Sequence, residues 1–155
     1  MAIKKEMLED LERRRQCIAG EQAKIEARHA KGLMTARERI AGLVDSGSFQ
    51  ESGAHVGHDV RGFGFEKKVL PGDGVVTGLG LVDGRPVSVI SQDFMVSGGS
   101  LGSRHARKMA ETMQQAIELG NPIISMNDSG GARIQEGVRS LPGYGQEFRS
   151  NVLAS

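Results

Sequence analysis

The sequence predicts an α/β fold in which a hairpin of two strands is followed by a helix and a further strand. Residues 75–91 contain two runs rich in β-branched side chains, and Asp83-Gly84 between them is a signal for a tight turn. Residues 103–119 repeat apolar side chains at the i, i+3, i+4 and i+7 positions of an amphipathic helix. The apolar run 122–126 predicts a buried strand, and strand, helix and strand in this order predict a right-handed crossover.

Length and composition exclude several classes of protein. The 155 residues suffice for one domain with a hydrophobic core, and a net charge of +1 with acidic and basic residues interleaved argues against nucleic acid as a partner. Cys17 is the single cysteine, which excludes a disulfide framework and a cysteine-based zinc site within the chain. Residues 1–12 do not resemble a secretory signal, and no apolar run reaches the length of a membrane span. We therefore expect a cytoplasmic protein without a metal.

Residues 1–45 are predicted to form a helical arm in front of the folded part of the chain, residues 46–155. The stretch 4–30 is rich in Lys, Arg, Glu and Ala with a thin apolar stripe, which predicts one amphipathic helix bent at Gly20. The sequence Thr35-Ala36-Arg37-Glu38 has the spacing of a capping box and predicts the start of a short helix. We interpret the arm as a solvated element that rests on its own or a neighbouring subunit.

The glycine-rich stretch 52–74 holds two histidines, His55 and His58. Two histidines three positions apart can ligate a metal, but Gly53 and Gly57 disfavour a helix there. Neither an acidic residue nor a thiol stands at ligand spacing from them. We therefore interpret this stretch as a solvated loop.

The turn behind the last predicted strand is the strongest candidate for chemistry. Gly130 and Gly131 let the chain turn sharply with its N–H groups unobstructed, and good helix formers follow them. A strand, a glycine turn and a helix start can together aim backbone N–H groups at an anion or a developing oxyanion. Ser129 lies outside any Gly-x-Ser-x-Gly elbow. We therefore expect donated N–H groups rather than an attacking side chain.

Two charged residues beside this turn each allow two interpretations. Arg133 is placed either to bind a carboxylate or phosphate of a substrate or to form an ion pair with Glu136, three residues on. Asp128 is placed either to act as a base or to hydrogen-bond the turn.

A second glycine pair precedes the predicted helix. Gly98, Gly99 and Ser100 could bind phosphate through backbone N–H groups, but the stretch lacks the lysine of a Walker loop and the glycine spacing of a dinucleotide site. A plain turn is therefore the alternative. His105 and Lys108 follow in the first turns of the helix, where they could meet a ligand, although an exposed polar face is the simpler expectation.

Five segments of this chain, in the same order, resemble the subunits of biotin-dependent acyl-CoA carboxyltransferases. These segments are residues 30–40, 71–78, 91–94, 98–101 and 127–137. The similarity extends from about Lys24 to Ser155. The sequence Arg133-Ile134-Gln135-Glu136-Gly137 most resembles propionyl-CoA carboxylase beta subunits and methylmalonyl-CoA decarboxylase alpha subunits.

This resemblance implies a crotonase-like superhelix of β-β-α units, of which residues 46–155 would form only the first part of the N-terminal carboxyltransferase domain. It implies carboxyl transfer between carboxybiotin and a short-chain acyl-CoA, with the amides of Gly131 and Ala132 forming half of an oxyanion hole. Ser129, Gly130, Arg133, Gly98, Gly99 and Ser100 would bind the coenzyme A thioester. The implied partners are a biotin carboxyl carrier protein, biotin carboxylase or decarboxylase subunits, and further copies in a hexameric ring.

Two other functions stay open at this stage. The resemblance implies that the other half of the oxyanion hole comes from a further glycine pair at the N-terminus of a later helix, which is absent from these 155 residues. That absence and the long arm would suit a non-catalytic interaction module. A hydratase or isomerase of the wider crotonase group is the other alternative, although those enzymes usually add acidic side chains that transfer protons. The resemblance also implies that a 155-residue chain is a truncated or separately encoded piece.

Overall fold

The computed structural model describes residues 5–62 and 64–155 as one α/β unit preceded by two helices. The helices are α1 (Lys5–Ala19), α2 (Gln22–His29), α3 (Ala36–Leu43), α4 (Ser103–Leu119) and α5 (Leu141–Ala154). The strands are β1 (Gln50–Ser52), β2 (Val75–Val82), β3 (Arg85–Gln92) and β4 (Ile123–Met126). Short 3-10 helices occupy Phe65–Lys67, Pro71–Gly74, Ser97–Gly99 and Ile134–Ser140.

The four strands form one sheet in the order β1-β2-β3-β4. The pairs β1–β2 and β2–β3 are antiparallel, and β3–β4 is parallel, with α4 connecting these two strands. The predicted hairpin is confirmed. Asp83 and Gly84 have φ values of 50° and 73°, which is the type I′ geometry that matches strand twist. The turn is two residues long, because Arg85 already pairs with Val82.

The sheet has a helix on each face. Side chains alternate along β2 and β3, so that Val75 and Ile90 pack with α4 while Val76 and Val89 pack with α3. The predicted apolar stripe of α4 is confirmed in its buried members, which are Ala106, Met109, Met113 and Ala116. The helix ends at Gly120, whose φ of 68° is the left-handed conformation expected of a terminating glycine.

The expectation that His105 and Lys108 form an exposed polar face of this helix is wrong. His105 is fully buried and Lys108 is 4% exposed. The Nζ of Lys108 donates to the carbonyls of Gly72 and Val75, so the cation is satisfied by the turn that precedes β2. Burial lowers the pKa of Lys108 to about 8, because the charged form loses its hydration.

The N-terminal arm contains two helices where the sequence predicts one bent helix. Gly20 has a φ of 90°, which breaks the helical hydrogen bonding between α1 and α2 instead of bending it. The capping box is confirmed: the Thr35 hydroxyl accepts from the N–H of Glu38, and the Glu38 carboxylate accepts from the N–H of Thr35. Neither α1 nor α2 has a fully buried residue, whereas α3 buries Ala36 and Ile40 in the core.

Two glycines of β2 mark close approaches of the chain. A Cβ at Gly78 would lie 2.2 Å from the carbonyl oxygen of Gln50, and one at Gly80 would lie 2.8 Å from the side chain of Val44. Gly78 therefore requires glycine, and a side chain at position 80 would require Val44 to move. Within the described residues, no three His, Cys, Asp or Glu side chains are grouped to hold a metal ion. The described helices include none long and apolar enough to cross a membrane.

The strand after α4 is less buried than the sequence predicts. Its residues are half-buried or exposed, because β4 lies at an edge of the sheet with only β3 paired to it. The parallel register places Ile124 opposite Val89 and Met126 opposite Ser91. This register brings the chain out of β4 at the same edge as the end of β3, so the two glycine motifs lie near each other.

Candidate oxyanion site

The two glycine motifs form adjoining loops. The N–H of Gly130 donates to the carbonyl of Gly98 at 2.9 Å. Gly99 has a φ of 61°, and a Cβ at this position would lie 2.1 Å from the carbonyl oxygen of Asp128. Any side chain at Gly99 would therefore push the two loops apart. The structure brings together the candidate residues 98–100 and 129–133, which are far apart in the sequence.

A short parallel bridge fixes the end of the second loop. The N–H of Leu101 donates to the carbonyl of Gly131, and the N–H of Arg133 donates to the carbonyl of Leu101, each at 2.9 Å. Ala132 lies between these two bonds and takes part in neither. Among the described residues, the N–H of Ala132 has no acceptor, and the residue is half-buried. This amide is therefore a free donor on a fixed backbone.

The amide of Gly131 is less available than that of Ala132. Its N–H donates to the hydroxyl oxygen of Ser129 at 3.1 Å, within the same loop. Ser129 itself is exposed, so its hydroxyl is free to rotate toward solvent. The family resemblance implies that both amides belong to an oxyanion hole, whereas the structure offers one free donor and one that the loop already uses.

The helix start expected behind the glycine turn is not an α-helix. Residues Ile134–Ser140 form a 3-10 helix interrupted at Gly137, where φ is 56° and ψ is −137°. An interrupted turn has little aligned dipole, so the macrodipole contributes little here. The α-helix α5 begins only after this 3-10 helix, at Leu141. The chemistry of the site therefore depends on individual N–H groups.

Arg133 belongs to the framework of the site, which corrects its assignment to substrate binding. The side chain is fully buried. Its five N–H groups donate to Asp73, Glu136 and Ser100, and a guanidinium has no more than five. The ion pair with Glu136 that the sequence left open is present at 3.1 Å, and Asp73 makes a second one. A ligand would have to displace one of these bonds to reach the guanidinium.

The same carboxylates occupy the start of α4, where the sequence allowed a phosphate site. Glu136 accepts from the N–H of Ser103 at 2.7 Å, and Asp73 accepts from the N–H of His105 at 2.8 Å. The N–H groups of Gly99 and Ser100 also donate within their own turn. The structure thus favours the plain-turn interpretation of residues 98–100, because four of the N–H groups in and after this turn, those of Gly99, Ser100, Ser103 and His105, donate within the protein.

A buried hydrogen-bond chain links the second loop to the turn before β2. The N–H of Asp128 donates to Oε1 of Gln92 at 3.0 Å, and Nε2 of Gln92 lies 3.3 Å from Nε2 of His105. Nδ1 of His105 lies 2.9 Å from the carbonyl oxygen of Asp73. Because that carbonyl only accepts, Nδ1 carries the proton and Nε2 accepts from Gln92. Burial lowers the pKa of His105 to about 3, so the ring is neutral.

Gln92 and Asp73 organise the site, although neither was predicted from the sequence to be a site residue. Gln92 ends β3, and Asp73 has a φ of 52° in the turn before β2. A polar residue at the end of a buried strand, and an aspartate between two glycines, are both local signals that could have marked them.

Asp128 is held by two arginines and is not a free base. Nη2 of Arg28 donates to its carboxylate at 2.7 Å, and Nη2 of Arg39 lies 3.6 Å from the same oxygen. Both arginines come from the first 45 residues of the chain. The arm therefore reaches the loop that carries the candidate donor.

Two clefts lie beside the arm and away from this loop. One, of about 750 Å³, lies between α1 and residues 54–72, and the other, of about 480 Å³, reaches from α1 to Ser97. Neither cleft is lined by residues 128–133.

The comparisons with known proteins identify the family. The family model described as "Carboxyl transferase domain" matches residues 27–155. This chain belongs to the carboxyl transferase family. It is 50% identical over 153 residues to the propionyl-CoA carboxylase beta chain of Cereibacter sphaeroides, and 48% identical over 157 residues to the methylmalonyl-CoA decarboxylase subunit alpha of Propionigenium modestum. These alignments cover 97% and 100% of this chain and 30% of each relative.

Solved structures of this family confirm the crotonase-like fold. Transcarboxylase 12S, solved as a hexamer with methylmalonyl-coenzyme A and methylmalonic acid bound, is 48% identical, with a TM-score of 0.92. This chain covers 31% of that one and is itself covered completely. A Pseudomonas malonate decarboxylase hetero-tetramer has a TM-score of 0.69 at 29% identity, with 78% of this chain and 46% of that chain covered. This carboxyl transferase chain spans about 30% of the length of the curated relatives it matches.

Proposed function

We propose that these residues form part of a carboxyltransferase that moves a carboxyl group between carboxybiotin and a short-chain acyl-CoA. The observation that carries this proposal is the N–H of Ala132, which is free among the described residues and is held by the bridge between Leu101 and residues 131–133. A fixed donor of this kind stabilises negative charge on a carbonyl oxygen without reorganising during the reaction. Membership of the carboxyl transferase family supports the reaction class.

The role we assign to this loop is electrostatic. Biotin, when bound, would carry the carboxyl group, and the thioester would present a carbonyl oxygen that becomes negative as the enolate forms. The Ala132 N–H would donate to an oxygen of this kind. The N–H of Gly131 would join it once the Ser129 hydroxyl rotates away, since that bond lies within an exposed turn. Buried Arg133 and Asp73 would keep the loop in place.

The remaining assignments extend the proposal. We assign Ser129 and Gly130 to substrate contact, because both are exposed at the loop. The partners would be an acyl-CoA, a biotin carboxyl carrier protein, and biotin carboxylase or decarboxylase subunits, with further copies of the subunit in a hexamer. Transcarboxylase 12S supplies the precedent for the hexamer. We keep a cytoplasmic location as a proposal, which the exposed free thiol of Cys17 fits, whereas the human relative is mitochondrial.

The experiment is a carboxyl-transfer assay on the full-length gene product that contains these residues. The protein would be mixed with a carboxylated biotin carrier and either propionyl-CoA or acetyl-CoA, and the thioester products would be identified by mass. We expect a carboxylated thioester from at least one of the two. If neither thioester gained a carboxyl group while the carrier kept its own, the proposal would fail.

Two other functions can be separated by similar measurements. A non-catalytic interaction module is favoured by the sparse burial of α1 and α2, and it predicts a defined complex with a separate chain in light scattering. A hydratase or isomerase predicts measurable hydration of an enoyl-CoA. It is disfavoured because Asp128 and Glu136, the carboxylates nearest the loop in sequence, are both engaged in ion pairs.

A further inference from the structure

Arg28 connects three separate segments of the chain. Its Nε and Nη2 both donate to the carbonyl of Met34, at 3.2 Å and 3.1 Å. Its Nη2 also donates to Asp128 at 2.7 Å, and its guanidinium lies 5.7 Å from the ring centre of Phe94. The side chain is only 12% exposed. One side chain thus joins the end of the arm, the loop after β3 and the loop after β4.

Asp128 is the point at which this arm contact reaches the candidate donors. Its carboxylate accepts from Arg28, its N–H donates to Gln92, and its carbonyl oxygen lies against Gly99. The loop continues directly into Gly130, Gly131 and Ala132. Arginine suits this position because the donors of its planar fork have fixed directions and can hold a carboxylate and a carbonyl in one geometry, whereas the ammonium of a flexible lysine side chain fixes neither direction.

We propose that Arg28 is a positioning residue, which orients the 128–132 loop for the reaction through its ion pair with Asp128. This inference rests on the proposed function. Arg28 would not touch the reacting atoms. It would fix the backbone from which Ala132 donates, and small displacements of such a donor are costly to the rate. The arm would thereby contribute to catalysis even though it lies outside the sheet.

The test compares Arg28→Gln with two matched controls in the full-length gene product. Arg37→Gln removes a bidentate pair with Glu51, at 2.7 Å and 2.9 Å, together with a contact to the carbonyl of Ile18, so it loosens the arm elsewhere. Arg107→Gln removes an exposed 2.7 Å pair with Glu111 on α4. We expect Arg28→Gln to lower kcat for carboxyl transfer by about 10-fold to 100-fold. Both controls should stay within about threefold of the wild-type kcat.

Further readouts separate positioning from general loss of structure. KM for the thioester should change by less than about threefold in Arg28→Gln. Loss of an interaction that acts only in the transition state lowers kcat and leaves substrate binding unchanged. Arg28→Lys should recover only part of kcat. The double variant Arg28→Gln/Asp128→Asn should be no slower than the slower of its two single variants, because both remove the same pair. Hydrogen exchange at residues 128–132 should be faster in Arg28→Gln than in Arg107→Gln.

Several results would overturn the inference. The first is a kcat for Arg28→Gln equal to that of Arg107→Gln. The second is an equal loss of kcat in Arg28→Gln and Arg37→Gln. The third is a double variant whose loss of kcat, as a free energy, is the sum of the losses of its two single variants. If wild-type protein transferred no carboxyl group, the proposed function would fail, and hydrogen exchange would still decide the positioning claim. Unchanged exchange at residues 128–132 in Arg28→Gln would then refute it independently.

Discussion

The buried charge network around Arg133 gives the sharpest stability prediction. Replacing Arg133 by Met removes five hydrogen bonds and leaves the carboxylates of Asp73 and Glu136 buried without their cation. Removing one partner of a buried ion pair typically costs about 3–5 kcal/mol. This is a large part of the roughly 5–15 kcal/mol that stabilises a whole domain. We therefore expect a much lower urea midpoint, or failure to fold, in equilibrium unfolding of the full-length gene product.

A surface variant provides the reference for this measurement. Arg107→Ala removes a 2.7 Å ion pair with Glu111, but both side chains are mostly exposed and screened by solvent. It should shift the urea midpoint little or not at all. Arg133→Lys should fall between the two, since an ammonium keeps the charge without the five-donor fork. If Arg133→Met unfolded at the same urea concentration as Arg107→Ala, our account of the network would be refuted.

Three further predictions concern stability. Burial gives His105 a pKa of about 3 in the folded chain against about 6.5 in the unfolded chain. The stability contributed by this neutral ring is therefore fully present above pH 6.5 and is lost as the pH falls, because the unfolded chain then binds a proton that the folded chain does not. We expect about 2 kcal/mol less stability at pH 5 than at pH 7.5 from this group, and His105→Asn should flatten that part of the pH profile in urea titrations. Gly99→Ala should lower the free energy of unfolding by more than about 2 kcal/mol, because the new Cβ meets the carbonyl oxygen of Asp128. Gly120→Ala has a similar φ but open space around it and should lower the free energy of unfolding by about 1 kcal/mol. Equal losses in the two variants would contradict the close approach at Gly99. The 155-residue chain alone should unfold broadly or aggregate, because Phe148 and Val152 of α5 are 64% and 75% exposed; a sharp, reversible thermal transition of a dilute monomer would count against this.

The sheet and its main helix could be predicted because their signals are local. The Asp83-Gly84 turn fixes the hairpin register, and the apolar spacing of residues 103–119 fixes α4 and the apolar part of the face that it buries. The capping box at Thr35 likewise depends on residues three positions apart. These features follow from backbone preferences and side-chain periodicity within one element.

The site was only partly predictable because its partners are distant in sequence. Arg133 and Asp73 are 60 positions apart, and Arg28 and Asp128 are 100 apart. A single sequence gives the charges but not the pairing, so it left Arg133 open between a ligand and Glu136, did not indicate Asp73 as its partner, and wrongly favoured an exposed His105. The two glycine loops could be predicted, because glycine pairs before predicted helices indicate turns whose backbone N–H groups are unobstructed. Which of their N–H groups stay free depends on the bridge between Leu101 and Ala132.

The most direct test of the central claim is the turnover of Ala132→Pro compared with Ala132→Gly in the full-length gene product. Proline deletes the N–H of Ala132, which makes no hydrogen bond within the described chain, whereas glycine keeps it. If this amide stabilises an oxyanion, Ala132→Pro should lower kcat by about 10²- to 10³-fold with little change in KM, and Ala132→Gly should stay near wild type. Equal kcat values for the two folded variants would contradict the claim.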